Sequence, residues 1–185
     1  MNNKKEIKNE TDNIKIDIVN LFDEIMSGKY SNIQLNHYFK TKNYLKKEKL
    51  FITNIINITI KNLIYIDYLL EKTVKNIQKR KIKQLLRISV AQLFFTESDN
   101  AGVLYEAVEI AKILNNHQSG FVNATLQSVL RNKDEIVENI PKDRKDGILY
   151  SYPQWFVNKL KVDYPEDYVD IMKSYKSRSY LSVRY

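Results

Sequence analysis

The stretch SGFVNATLQSVLR, residues 119–131, decides the fold class. Its apolar residues Val122, Leu126, Val129 and Leu130 recur three and four positions apart, which places them on one side of an α-helix. Asn123 lies about 100° around that helix from Val122, at the edge of the apolar stripe. The stretch therefore predicts an amphipathic helix that buries one face and carries an amide at the margin of that face.

The same periodicity continues through most of the chain, which has only 4 Gly and 3 Pro in 185 residues. A hydrophobic fraction of 43% is sufficient for a packed core. We therefore predict an all-α domain of antiparallel packed helices over residues 14–139. The predicted helices run from residue 14 to Ser27-Gly28, from a cap at Ser31 through Phe39, from Tyr44 or Leu45 to about Leu63, from Asp67 to about Ile77, over 79–95, from Gly102 to Leu114 and over 119–131.

The two ends of the chain differ from this pattern. We expect residues 1–13 to be disordered, and residues 140–185 to form a linker that follows the composition shift at NIPKDRKDG (139–147). Pro153 and Pro165 suit the first turns of two short helices, and Trp155 is expected to anchor the first of them in an apolar groove. The last residues, 179–185, alternate in the manner of a β-strand.

The composition excludes several classes of site. The chain has no cysteine, which rules out disulfides, thiolate metal sites and cysteine nucleophiles. The two histidines, His37 and His117, lack a ligand cluster, so we predict no metal site. The N-terminus has no apolar signal sequence, and polar residues interrupt the most apolar segment, 50–70, so we expect no membrane span and a cytoplasmic protein.

Lysine and arginine outnumber acidic residues 30 to 22, for a net charge of +8. Such a surface favours an anionic partner, of which nucleic acid is the most common, although the abundance of Lys, Asn and Ile is also typical of an A·T-rich genome. The candidate RNA-binding residues lie around the start of the helix over 79–95, where they can bind phosphates or form a solvated helix end: Lys79, Arg80, Lys81, Lys83 and Arg87.

Two of the polar residues have a structural alternative. Arg87 is less exposed by pattern, and we favour an ion pair with Glu106 or Glu109 across a helix interface. For Asn123, we favour a structural clamp to a neighbouring helix or loop over an RNA contact, because a half-buried amide must have both its oxygen and its NH2 hydrogen-bonded.

Three motifs, LLRISVAQLFF (85–95), VLYEAVEIAK (103–112) and GFVNATLQSVLR (120–131), occur in an order and spacing that resemble the NusB-like helical domain. They are most similar to the form of that domain in the Sun/Fmu family of ribosomal RNA cytosine-C5 methyltransferases. Glu106 matches the middle motif of that family, and Phe121 and Asn123 match its F-V-N motif. YSYPQWFVNKLKVDYPEDYVDIM (150–172) and LSVRY (181–185) resemble the linker and the first catalytic strand of that family, so the resemblance covers residues 14–185.

This resemblance implies an RNA-binding domain of an S-adenosylmethionine-dependent enzyme, with ribosomal RNA as partner. Cytosine-C5 methylation uses a cysteine thiolate that adds to the ring, and this chain has neither a cysteine nor a glycine-rich cofactor turn. We therefore expect no catalytic residue, no cofactor and no activity in this chain, which would be a fragment that lacks its C-terminal methyltransferase domain. The alternatives are a stand-alone NusB-type transcription antitermination factor and an architectural helical module without RNA contact.

Overall fold

The computed structural model describes the backbone of residues 2–176 and the side chains of residues 14–176. These residues form ten α-helices and one short 3₁₀ turn, Asn116–Gln118, and the described part of the chain contains no strand. No helix within residues 2–176 is long and apolar enough to cross a membrane. The helices are α1 (Asn2–Met26), α2 (Ser31–Thr41), α3 (Lys46–Lys61), α4 (Leu63–Thr73), α5 (Arg80–Phe95), α6 (Asn100–Asn115), α7 (Ser119–Glu138), α8 (Lys145–Leu149), α9 (Gln154–Asp163) and α10 (Tyr168–Lys176).

Helix α5 lies at the centre of the bundle, where it contacts α1, α3, α4, α6 and α7. All eight residues from Gln84 to Ala91 are buried, and this position in the middle of the bundle explains why α5 is covered on every side. The apolar side chains of α1, α3, α4, α6 and α7 complete one continuous core around it. The all-α class predicted from the periodicity is confirmed.

Several helix ends follow the predicted signals. Helix α1 ends at Met26, and Gly28 then adopts a positive φ of 99°, a conformation that glycine tolerates best. Helix α6 begins before Gly102, because the Asp99 side chain accepts a hydrogen bond from the Gly102 N–H at 2.8 Å. Ser31, predicted as a cap, is the first residue of α2, and the capping position belongs to Tyr30.

The break between α3 and α4 lies at Asn62, earlier than predicted. Asn62 leaves the helical conformation, and its side-chain NH2 donates a hydrogen bond to the Ile58 carbonyl at 2.9 Å. The amide thus satisfies a carbonyl near the end of α3. The next helix can then start immediately at Leu63 and end at Thr73, short of the predicted Ile77.

The predictions for the two ends of the chain fall only partly within the described residues. Helix α1 begins at Asn2, within the segment 1–13 for which disorder was expected; residues 2–13 contain neither Gly nor Pro, so nothing in the sequence stops the helix. The strand predicted over residues 179–185 lies outside the described residues.

Residues 140–176, here called the tail, are folded rather than extended. Ile140 and Ile148 pack in the main core, and Val157, Leu160 and Met172 form a second, smaller core. Helices α9 and α10 are the two predicted short helices, but the prolines precede them rather than lying in their first turns: Pro153 is the N-cap residue of α9, and Pro165 lies before Tyr168, the first residue of α10.

The expected groove for Trp155 is not present, since its side chain is 71% exposed. Val157, two residues further along α9, takes the buried position instead. Two residues correspond to about 200° of helix rotation, so Trp155 points away from the small core.

Candidate nucleic-acid interface

The start of α5 concentrates positive charge. Lys79 precedes the helix, and Arg80, Lys81 and Lys83 lie in its first turn; we call these four residues the basic turn. This turn has no acidic residue and no side-chain cap, in contrast to α6, which Asp99 caps. The first N–H groups of a helix lack intrahelical partners and carry the positive end of the helix dipole. The start of α5 therefore combines cationic side chains with backbone donors, an arrangement suited to an anion such as phosphate.

Arg80 is not fully available to such an anion. Its Nε lies 2.6 Å from Asp23 Oδ1, and its Nη2 donates to the Asp23 carbonyl at 2.9 Å. Gln84 donates to the same carboxylate at 3.2 Å. The guanidinium therefore ties the start of α5 to the end of α1, although more than half of the side chain remains exposed.

Arg87 is buried, and the prediction that it pairs with Glu106 or Glu109 was wrong. Its Nε and Nη2 lie 2.7 and 2.5 Å from the two carboxylate oxygens of Asp67 on α4, and its Nη1 donates to Gln84 at 3.0 Å. The predicted partners on α6 are occupied elsewhere: Glu106 pairs with Lys15, and Glu109 pairs with Lys112. Arg87 therefore joins α5 to α4. It does not belong to the candidate RNA surface, because its guanidinium is buried and bonded to Asp67 and Gln84.

Apart from Arg80, which is paired with Asp23, the solvent-facing cations at this end of α5 are lysines. Lys79 and Lys81 are exposed, and the partly buried Lys83 lines a small cavity of about 140 Å³. Lys75 lines the same cavity and was missed from the sequence, because a helix to Ile77 would have kept it on α4. Helix α4 instead ends at Thr73, which places Lys75 in the loop that leads to the basic turn.

Glu106 and Phe121 take positions that stabilise the bundle. The Glu106–Lys15 ion pair joins α6 to α1 at the wall of an open groove of about 610 Å³. Phe121 is partly buried and packs against the main core. Neither side chain lies with the basic turn. Among the described residues, no group of three or more His, Asp or Glu side chains could hold a metal ion.

Asn123 is half-buried, but the structure contradicts the predicted clamp. Its Oδ1 accepts a hydrogen bond from Gln127 Nε2 at 3.3 Å, one turn further along the same helix. This contact is exposed and joins no second helix or loop. The edge of the α7 stripe is open enough for solvent to hydrate the amide, which removes the need for a partner.

We therefore predict that Asn123→Ala changes the free energy of unfolding by less than about 0.5 kcal/mol. The matched control is Asn62→Ala, which removes an amide that bonds the Ile58 carbonyl and accepts from Lys176. That change should cost about 1–2 kcal/mol. Urea titrations of both variants provide the measurement, and a loss above about 1 kcal/mol for Asn123→Ala would restore the clamp interpretation.

Comparison with known proteins relates this geometry to a family. The model of the NusB family matches residues 14–131, most of the helical bundle. A probable ribosomal RNA small subunit methyltransferase B of Bacillus subtilis (strain 168) is 31% identical over 135 residues, which are 70% of this chain and 30% of that protein. The transcription antitermination protein NusB of Campylobacter jejuni (strain RM1221) is 26% identical over 125 residues, which are 65% of this chain and 95% of that protein.

The crystal structure of PH0851 has a similar fold, with a TM-score of 0.61 at 16% identity. The likeness covers 91% of this chain and 39% of that chain. This chain thus spans less than a third of the Bacillus methyltransferase and most of the antitermination protein. The motifs noted in the sequence, the helical core around α5 and the family match over residues 14–131 agree, and the chain belongs to the NusB family.

Proposed function

We propose that this chain is the RNA-binding domain of an S-adenosylmethionine-dependent ribosomal RNA cytosine-C5 methyltransferase. The observation that carries the RNA-binding part is the basic turn, where lysines that form no ion pair with the described side chains surround an uncapped helix start. The proposed role is to hold structured ribosomal RNA through its phosphates so that a catalytic domain can act on it.

Phosphate contact is favoured over base reading by the type of side chain present. Lys75, Lys79 and Lys81 are exposed ammonium groups, which bind phosphate as point charges. Base edges are read by amides, guanidinium groups and stacked aromatic rings. The two arginines of this helix are held by Asp23 and Asp67, and so are poorly placed to read bases. The expected binding is therefore electrostatic, with little preference among RNA sequences.

The tail supports a methyltransferase origin over an antitermination factor. Only one-twentieth of the Campylobacter antitermination protein lies outside its match, which leaves little length for a segment such as residues 140–176. In this chain the tail contributes Ile140 and Ile148 to the main core, so it is part of the fold.

The second candidate function is transcription antitermination. The observation that favours it is the match to nearly the whole length of the Campylobacter protein. A domain of this kind would bind RNA through the same basic turn. The two candidates therefore differ in the role of the tail more than in the RNA surface.

In the favoured proposal, the cofactor and the catalytic thiolate belong to another part of the enzyme. Residues 2–176 form helices joined by short loops, and these loops do not fit S-adenosylmethionine because they lack the glycine-rich strand-to-helix turn that such cofactors use. The chain also has no cysteine to add to the cytosine ring. The contribution proposed for this chain is therefore substrate binding alone.

The test is the triple variant Lys79→Gln, Lys81→Gln, Lys83→Gln, with RNA affinity measured over a salt series on a ribosomal RNA hairpin. If all three lysines touch phosphates, the slope of log affinity against log salt should fall by about two to three units, at about 0.7–0.9 per contact. Discrimination between the hairpin and a scrambled hairpin should not change.

The matched control removes the same charge from three exposed lysines at the far end of α2 and the start of α3, namely Lys40, Lys46 and Lys47. This control should leave most of the slope intact. Equal decreases in slope in both variants would indicate diffuse attraction of RNA to the net charge. An unchanged slope in the basic-turn variant would favour an architectural module without RNA contact.

A further inference from the structure

The tail meets the bundle at the break between α3 and α4. The Lys61 ammonium, at the end of α3, donates to the Lys176 carbonyl at 2.8 Å. The Lys176 ammonium, at the end of α10, donates to Asn62 Oδ1 at 2.8 Å. These two reciprocal hydrogen bonds bring two cationic groups together at one seam; we call Lys61 and Lys176 the lysine pair.

A second contact fixes the tail beside the lysine pair. The Ser151 hydroxyl oxygen accepts hydrogen bonds from the Ile64 and Tyr65 N–H groups at 2.9 and 3.3 Å, and so caps the start of α4. Ser151 adopts a positive φ of 55°, an uncommon conformation for a residue other than glycine. Hydrogen bonds between the bundle and the tail thus hold the seam in a defined geometry.

The lysine pair has no counter-charge among the described residues. Lys159, Lys161 and Lys173, the other lysines of α9 and α10, each pair with an aspartate. Both acceptors used by the lysine pair, an amide oxygen and a backbone carbonyl, are neutral. Burial, followed by the charge of Lys61, lowers the pKa of Lys176 to about 8. Two neighbouring cations without a carboxylate, one of them partly buried, leave an uncompensated positive charge at the seam.

We propose that the lysine pair binds a phosphate group of the RNA backbone, at a second contact remote in sequence from the basic turn. This inference rests on the proposed RNA-binding function and adds the seam to the RNA surface. Each ammonium has three donors and uses one of them on the described residues, so both retain donors for phosphate oxygens.

An RNA phosphate is favoured over an acidic protein segment because an exposed aromatic residue adjoins Lys176 in the sequence of α10. Tyr175 precedes Lys176 on α10, and its side chain is 64% exposed. A nucleotide whose phosphate sits on the lysine pair could stack its base on this ring.

Phosphate binding at the seam also has a consequence for the tail. Because the repulsion between the two ammonium groups opposes docking of α10, a bound phosphate offsets that repulsion and stabilises the docked tail. By linkage, RNA binds more tightly when the tail is docked. The seam would thereby couple RNA binding to the position of whatever part of an enzyme is attached to the tail.

The experiment compares the double variant Lys61→Met, Lys176→Met with the charge-matched control Lys159→Met, Lys173→Met in the same salt series on the same RNA hairpin. Loss of the one phosphate that the lysine pair holds should lower the slope of log affinity against log salt by about 0.7–0.9 units. The control should retain the wild-type slope. The double variant Lys61→Arg, Lys176→Arg, which keeps both charges, should retain most of the affinity and so separates charge from packing.

Hydrogen exchange of the α10 amides gives the second readout, with the RNA hairpin and inorganic phosphate as separate additions. RNA should slow exchange in α10 of the wild-type chain and leave it unchanged in the Lys→Met variant. An unchanged salt slope in the Lys→Met variant overturns the proposal. If inorganic phosphate slows exchange of the α10 amides and RNA does not, the phosphate bound at the seam does not come from the RNA backbone. If the salt slope falls in the Lys61→Met, Lys176→Met variant but not in the basic-turn variant, this proposal stands and the seam is the main RNA contact.

Discussion

Asp67→Ala is expected to destabilise the fold by about 3 kcal/mol, because it leaves the Arg87 guanidinium buried without its carboxylate. Arg87 bonds both carboxylate oxygens of Asp67, and its side chain is only 9% exposed. Thermal and urea unfolding of the variant would measure the loss.

Two controls separate the burial of a charge from the loss of packing. The double variant Asp67→Leu, Arg87→Met replaces the pair with apolar side chains and should recover most of the stability. Lys159→Ala, which breaks the exposed pair with Asp163, should cost no more than about 0.5 kcal/mol. If Asp67→Ala costs no more than that surface variant, Arg87 is not a structural link and returns to the candidate RNA surface.

Ile148→Ala should cost about 2–4 kcal/mol, the range for truncation of a buried aliphatic side chain. Ile148 lies in the tail, yet it packs in the main core, and α8 contacts α4. The loss would appear as a lower midpoint of urea unfolding for the whole domain, because the cavity lies in the shared core.

The matched control is Ile113→Ala on α6, where the side chain is 57% exposed. That change should alter stability by less than about 0.5 kcal/mol. Equal and small effects from both variants would mean that the tail is a loose attachment. Such a result would also remove the tail as an argument for the methyltransferase assignment.

Most of the features that could be predicted from the sequence depend on residues that are close together in it. The limits of α5 and the end of α1 follow from periodicity and from Gly28, since both depend on residues within a turn or two. The basic turn was also visible, because its cations are adjacent in sequence. The availability of each cation was not visible, because it depends on the neighbouring helices.

The sequence by itself determined the all-α class, the course of the central helices and the cluster of positive charge at the start of α5. Tertiary structure alone decided which of these charges are free. Asp23 and Asp67 lie 57 and 20 residues from the arginines they hold, and Ser151 caps a helix 87 residues away. Such pairings depend on which helix faces meet when the core closes, and the 3.6-residue period fixes the faces but not their partners.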